Sequence, residues 1–193
     1  MRFSLPPPGA EAVLLAVVLG AAVYDARYRR IPNWLTVTGV LIGLCLNAYQ
    51  YGALPTPAIQ GSWQGLLFSL KGLLVGFGVY LMLHLLRAMG AGDVKLMAAV
   101  GSIVGWQNWF GIFLVTAVTG GVLAIVVSIA RKRLGKTLFN VGFILHEMKS
   151  LRPAYLKNEE LDVKSDKALR LPHGIVIAVG TLIFLALSAH YSR

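Results

Sequence analysis

The chain has 193 residues, of which 56% are hydrophobic and 13% are charged, and its mean hydropathy is +0.69. Soluble globular chains contain about 45–50% apolar and about 25% charged residues, so the composition argues against a soluble domain and against an intrinsically disordered chain. The single cysteine, Cys45, excludes a disulfide framework and a cysteine-ligated zinc site. We therefore predict an integral membrane protein in contact with the lipid bilayer.

Six apolar stretches follow one another along the chain, and a helix needs roughly 20 such residues to cross a bilayer. They are Ala10–Tyr24, Trp34–Tyr49, Leu66–Leu86, Lys95–Trp106, Trp109–Ala130 and Leu171–Ala189. The fourth stretch is too short to cross unaided. In the third, the spacing Gly72-x-x-x-Gly76 permits close contact with another helix. The sequence thus predicts an all-α polytopic membrane bundle of about six transmembrane helices, with a short fourth helix, in a single domain over residues 1–193.

The positive charges predict the orientation of this bundle. The net charge is +10, and 15 of the 18 Lys and Arg residues lie in the segments after the first, third and fifth stretches. Basic loops stay in the cytoplasm, so we expect both termini outside and the basic loop at 131–170 in the cytoplasm. For that loop we expect attraction to anionic lipid, and docking of the substrate is the alternative. The alternation of basic and uncharged loops indicates membrane topology, and we expect no nucleic-acid partner.

Acidic residues are rare outside that loop. The three that occur there are Glu11, Asp25 and Asp93. Asp25 and Asp93 lie at the predicted cytoplasmic ends of apolar helices, where an ionisable side chain is costly and indicates a functional site. One alternative is that each carboxylate pairs with a cation close in sequence. Another is that the two form the proton or cation site of a small transporter or channel.

Two glycines precede the second aspartate in the segment Gly90-Ala91-Gly92-Asp93. Glycine allows close backbone approach, which would bring Asp93 against another helix and leave room for an extended peptide. A dinucleotide-binding turn is a weak interpretation, because the third glycine is absent and no strand precedes the segment. No His and Asp spacing predicts a metal site. We therefore expect neither a metal nor a cofactor.

Three short segments together resemble the type IV prepilin peptidases, which are bacterial membrane aspartic proteases of the Gly-x-Gly-Asp class. They are Asp25-x-x-x-x-x-Ile31-Pro32-Asn33, Gly90-x-Gly92-Asp93-x-Lys95-Leu96 and, more loosely, Leu171-Pro172-His173-Gly174. The resemblance runs from Asp25 to the last apolar stretch. Its specificity comes from the first two segments in this order and spacing, since neither alone is diagnostic.

The resemblance implies that Asp25 and Asp93 are the catalytic residues. The supporting motif positions that it implies are Pro32, Asn33, Gly90, Gly92, Lys95 and Pro172. It also implies cleavage of the basic leader peptide of type IV pilin-like precursors at the cytoplasmic face of the bacterial inner membrane. Larger members also methylate the new N-terminus and carry a cytoplasmic insertion with paired cysteines. This chain resembles the small, protease-only members, so we expect no N-methylation.

Two carboxyl groups at close range share one proton, so the ionised one can take a proton from water while the neutral one donates to the peptide carbonyl. Asp93 opens a predicted helix and Asp25 closes one. On the helix dipole alone we predict that Asp93 is mainly the base and Asp25 mainly the acid of a coupled pair. Of the histidines, we expect His84 to be a packed residue and His173 to be the one that could approach the pair.

Overall fold

The computed structural model describes residues 6–54, 57–86, 89–130 and 173–191. These residues form five helices, and no strand occurs in the described ranges. The helices are α1 (Pro8–Tyr28), α2 (Asn33–Gly52), α3 (Ala58–Leu85), α4 (Ala91–Ala130) and α5 (His173–Tyr191). All except α2 are long and apolar enough to cross a membrane. The prediction of a helical, multi-pass membrane protein is therefore confirmed for the described residues.

The longest helix, α4, contains a sharp break at Gly105, whose backbone has φ 74° and ψ 169°. Glycine adopts this region without steric cost, and the ring of Phe68 occupies the space where a β-carbon would stand. The indole N–H of Trp109 donates to the carbonyl oxygen of Met97 at 3.1 Å. In a straight helix these two residues would be about 18 Å apart along the axis. The two segments of α4 therefore fold toward each other at Gly105.

The break at Gly105 lies near the boundary between the fourth and fifth predicted stretches, Lys95–Trp106 and Trp109–Ala130, so the sequence indicated two segments here as the structure does. However, α2 is not among the helices apolar enough to span, since it carries polar residues such as Asn47 and Gln50. The prediction of about six transmembrane helices is therefore not confirmed. The loop at 131–170 and Pro172 lie outside the described residues.

Glycines bring α3 and the first segment of α4 into direct backbone contact. Gly72 faces Gly101 so closely that a β-carbon at either position would overlap the backbone of the other. At Gly76, a β-carbon would stand 2.9 Å from the indole nitrogen of Trp109 and 3.1 Å from the carbonyl carbon of Met97. The contact is the one that the spacing of Gly72 and Gly76 predicted.

A buried polar cluster joins α2, α3 and α4 beside the break. The side-chain nitrogen of Asn47 lies 2.8 Å from the hydroxyl of Ser69 and 3.1 Å from the carbonyl oxygens of Ser102 and Ile103. Carbonyl groups next to a helix break need donors from outside the helix, and a buried amide without partners is costly. Asn47 therefore connects α2 to α3 and to the carbonyl groups beside the break in α4.

Candidate active site

An open cavity of about 720 Å³ lies at the end of the bundle where α1 ends and α4 begins. Of the eight site residues predicted from the sequence, seven line this cavity. They are Asp25, Pro32, Asn33, Gly90, Gly92, Asp93 and Lys95. The eighth, Pro172, is outside the described residues. Residues that are distant in the sequence therefore meet around one space that is large enough for a peptide and water.

Asp25 lies in the last turn of α1, and its carboxylate faces the beginning of α5. Its Oδ2 accepts a hydrogen bond from the backbone N–H of Gly174 at 2.7 Å, although the two residues are 149 positions apart. A β-carbon at Gly174 would stand 3.0 Å from both Cβ and Oδ2 of Asp25. The absence of a side chain at Gly174 is therefore what allows α5 to hold this carboxylate.

Asp93 is the third residue of α4, and its side chain reaches back to the residue that precedes the helix. Its Oδ2 accepts a hydrogen bond from the backbone N–H of Gly90 at 3.1 Å, while its own N–H faces the carbonyl oxygen of Gly90 at 3.2 Å. An acidic side chain at this helix position commonly caps the first turn in this way. The capping contact holds the carboxylate at the helix N-terminus, where it lines the cavity.

The two carboxylates are close enough to interact electrostatically with each other. Each is 9% exposed. The sequence-based alternative, in which each carboxylate pairs with a neighbouring cation, finds no support in the described part of the chain. Lys95 instead donates from Nζ to Oδ1 of Asn33 at 2.8 Å, which links the start of α4 to the start of α2 across the cavity.

Both aspartates also accept a backbone N–H from the N-terminus of a helix, Asp25 from α5 and Asp93 from α4. The predicted division into acid and base considered only the helix that carries each residue. Because α5 adds a second helix end at Asp25, helix dipoles no longer distinguish the two carboxylates. The assignment of Asp93 as the base and Asp25 as the acid stays a prediction.

Two residues of α3 stand near Asp93. Tyr80 and His84 both interact with it electrostatically, and Nδ1 of His84 lies 2.8 Å from the carbonyl oxygen of Met89. From the sequence, His84 was expected to be a packed residue, and Tyr80 was not singled out. Their spacing of four residues, which places both on one face of a helix, is the signal that could have found them.

His173 opens α5 and interacts electrostatically with Asp25, as the sequence analysis considered for this residue. Its Nε2 is buried and has no hydrogen-bond partner among the described residues. A buried imidazole nitrogen without a partner is uncommon. The region around Asp25 therefore holds a second polar group besides the carboxylate.

The helices and the cavity together define a class: a multi-pass membrane protein with two carboxylates at one open end of the bundle. The sequence profile of the type IV leader peptidase family matches residues 12–125, a range that includes both Asp25 and Asp93. This range is more than half of the chain. The chain belongs to the type IV leader peptidase family.

Curated relatives are named prepilin leader peptidase/N-methyltransferase. The chain is 35% identical to that of Escherichia coli (strain K12) over 138 residues, which cover 70% of this chain and 57% of the relative. It is 30% identical to that of Burkholderia pseudomallei (strain K96243) over 113 residues, 58% of this chain and 35% of the relative. The chain thus spans little more than half of the first relative and about a third of the second. No solved structure matches it significantly.

Proposed function

We propose that the protein is an aspartic endopeptidase that removes the leader peptide from type IV pilin-like precursors. The observation that carries the proposal is that Asp25 and Asp93, from two helices, line one open cavity and interact with each other. Membership of the type IV leader peptidase family supports the same reaction. The relatives act as prepilin leader peptidases according to their names, which supports a pilin-like substrate.

The proposed reaction uses one water molecule and the two carboxyl groups. The ionised carboxylate takes a proton from water as the water attacks the scissile carbonyl, and the neutral carboxyl donates its proton to the carbonyl oxygen. Backbone donors from Gly174 and Gly90 fix the two side chains before substrate arrives. Such positioning lowers the barrier because the groups need little reorganisation during the reaction.

We place the reaction at the cytoplasmic face of the bacterial inner membrane, with both termini outside. The cavity is lined by Arg29, Arg30 and Lys95, and basic residues at one end of a bundle favour the cytoplasmic side. The scissile bond of a membrane-anchored precursor would reach the two aspartates at that interface. The expected partners are the precursor and the lipid bilayer.

We further propose that the protein does not methylate the new N-terminus, although its relatives are also named N-methyltransferases. The resemblance associates methylation with an insertion that contains paired cysteines. This chain has one cysteine, Cys45, which lies in α2 and is exposed. The protease-only members are therefore the better match.

The function can be tested with the purified full chain in detergent and a synthetic precursor that carries a basic leader, a glycine and an apolar helix. We expect a single cut after the glycine, and mass spectrometry of the new N-terminus identifies the position. An intact peptide would contradict the proposal. Proton or cation flux in liposomes, together with an intact peptide, would instead favour the transporter.

A further inference from the structure

The chain leaves α1 through a residue in the left-handed conformation. Arg29 has φ 51° and ψ 34°, and its N–H donates to the carbonyl oxygen of Asp25 at 2.9 Å, which ends the helix. Among the described residues it is the single non-glycine residue with positive φ. Glycine is the usual residue at such a helix end, because a β-carbon is unfavourable there. The backbone conformation at this position is therefore more favourable for glycine than for arginine.

Arg29 is located at the cavity that contains the two aspartates. Arg29 lines this cavity and is exposed. Both carboxylates are already engaged by the backbone N–H groups of Gly174 and Gly90. Within residues 6–54, 57–86, 89–130 and 173–191, no side chain pairs with the Arg29 guanidinium. Its five N–H donors are therefore available to a substrate that binds in this cavity.

Arg27 provides an internal comparison at the same helix end. Its guanidinium lies 5.7 Å from the centre of the Tyr28 ring, and Arg27 is not among the residues that line the cavity. The two arginines carry the same charge only two positions apart. They differ in backbone conformation and in access to the aspartates.

We propose that Arg29 is a substrate-binding residue whose guanidinium donates hydrogen bonds to an oxygen acceptor of the peptide bound in the cavity. The acceptor is a main-chain carbonyl or a side-chain carboxylate near the scissile bond; the planar fork of an arginine suits both. The basic residues of a leader would be repelled by Arg29, so the acceptor belongs to another part of the peptide. This inference rests on the proposed function, because it assumes that a peptide enters the cavity.

The substitution Arg29→Gly separates the side chain from the backbone. Glycine relieves the left-handed conformation, so we expect an unchanged or higher Tm. Loss of a charge-assisted hydrogen bond should raise KM about 10- to 100-fold, with kcat within about threefold of wild type. Arg29→Lys should recover part of the lost affinity. The matched control, Arg27→Ala, removes the same charge and should leave KM within about twofold.

A second measurement keeps this inference separate from the proposed function. Equilibrium binding of a fluorescent precursor peptide is compared in Asp93→Asn and in Asp93→Asn with Arg29→Gly, where no cleavage occurs. We expect Kd to rise about 10- to 100-fold in the double variant. Equal Kd values, or an equal loss caused by Arg27→Ala, would overturn the role of Arg29. Failure of the wild-type protein to cut the peptide would instead overturn the proposed function.

The chemical source of the acceptor is resolved by changing the peptide. In one arm every acidic side chain of the peptide is replaced by its amide. If Arg29 binds a carboxylate, wild type should bind this peptide as weakly as Arg29→Gly binds the original. If it binds a main-chain carbonyl, the affinity of wild type should be unchanged.

Discussion

Gly174 has no side chain at the point where the Asp25 carboxylate meets the start of α5. Its N–H donates to Oδ2 of Asp25 at 2.7 Å, and a β-carbon would stand 3.0 Å from that oxygen. Such a contact is tighter than van der Waals packing allows without a shift of the neighbour. The geometry of the Asp25 carboxylate, which we propose to be catalytic, is therefore sensitive to a single methyl group on another helix.

Replacing this glycine by alanine tests that sensitivity. We expect Gly174→Ala to displace the Asp25 carboxylate and to lower kcat by about 100-fold, because small misplacement of a reacting group has an effect of this size. Cleavage of the synthetic precursor in detergent is the measurement. The control is Gly78→Ala, where a β-carbon would meet nothing within 4 Å and activity should be unchanged. Full activity of Gly174→Ala would show that this contact does not position Asp25.

At the scale of single residues, the sequence singled out the two aspartates that line the cavity, but it did not predict which groups hold their carboxylates. Asp25 and Asp93 stand out because few acids occur in the apolar part of the chain. The donor Gly174 is 149 positions from Asp25, and no local pattern encodes such a contact. The assignment of acid and base from helix ends did not include the contact between Gly174 and Asp25, because it considered only the helix that carries each aspartate.

At the scale of helices, the break at Gly105 and the polar cluster around Asn47 determine where the elements meet. Asn47 is 2% exposed and contacts Ser69 on α3 as well as the carbonyl oxygens of Ser102 and Ile103 on α4. Glycine-mediated contact between α3 and α4 brings the same region together. The two segments of α4 are thus held in place by neighbours on both sides.

Removing the amide should loosen this arrangement without touching the cavity. We expect Asn47→Ala to lower the free energy of unfolding by about 1–3 kcal/mol, because buried hydrogen-bonding groups lose their partner. Thermal unfolding in detergent measures the effect, and cleavage at low temperature should persist. Thr38→Val, which removes an exposed hydroxyl bonded within its own helix, should leave Tm unchanged. An unaltered Tm for Asn47→Ala would mean that the cluster contributes little.

Helix positions could be predicted from apolarity more reliably than helix ends. The second stretch was expected from Trp34 and α2 begins at Asn33, but the third was expected from Leu66 and α3 begins at Ala58. The additional residues of α3 include Gln60, Ser62 and Gln64, which carry no apolar signal. Contact with a neighbouring helix stabilises this part of α3 in place of apolar residues, since Gly61 and Gly65 pack against the backbone of α2.

At the scale of the whole molecule, we predict that the protein lacks the N-methyltransferase activity that the names of its relatives include. We expect no transfer of a methyl group from S-adenosylmethionine to a cleaved peptide, because the chain has one cysteine and the resemblance associates methylation with paired cysteines. Mass spectrometry of the product measures a methyl group directly. In the control reaction, the same peptide and S-adenosylmethionine are incubated with a relative that is named both peptidase and N-methyltransferase. A methylated product from this chain alone would contradict the expectation.

The central claim is that Asp25 and Asp93 act together on one peptide bond, and single carboxamide substitutions test it most directly. Initial rates of precursor cleavage are compared for wild type, Asp25→Asn, Asp93→Asn and the control Glu11→Gln, which removes a carboxylate from the first turn of α1, at the other end of that helix. We expect loss of cleavage in both aspartate variants, expression and Tm close to wild type, and full activity for Glu11→Gln. Undiminished cleavage after either aspartate substitution would contradict this claim.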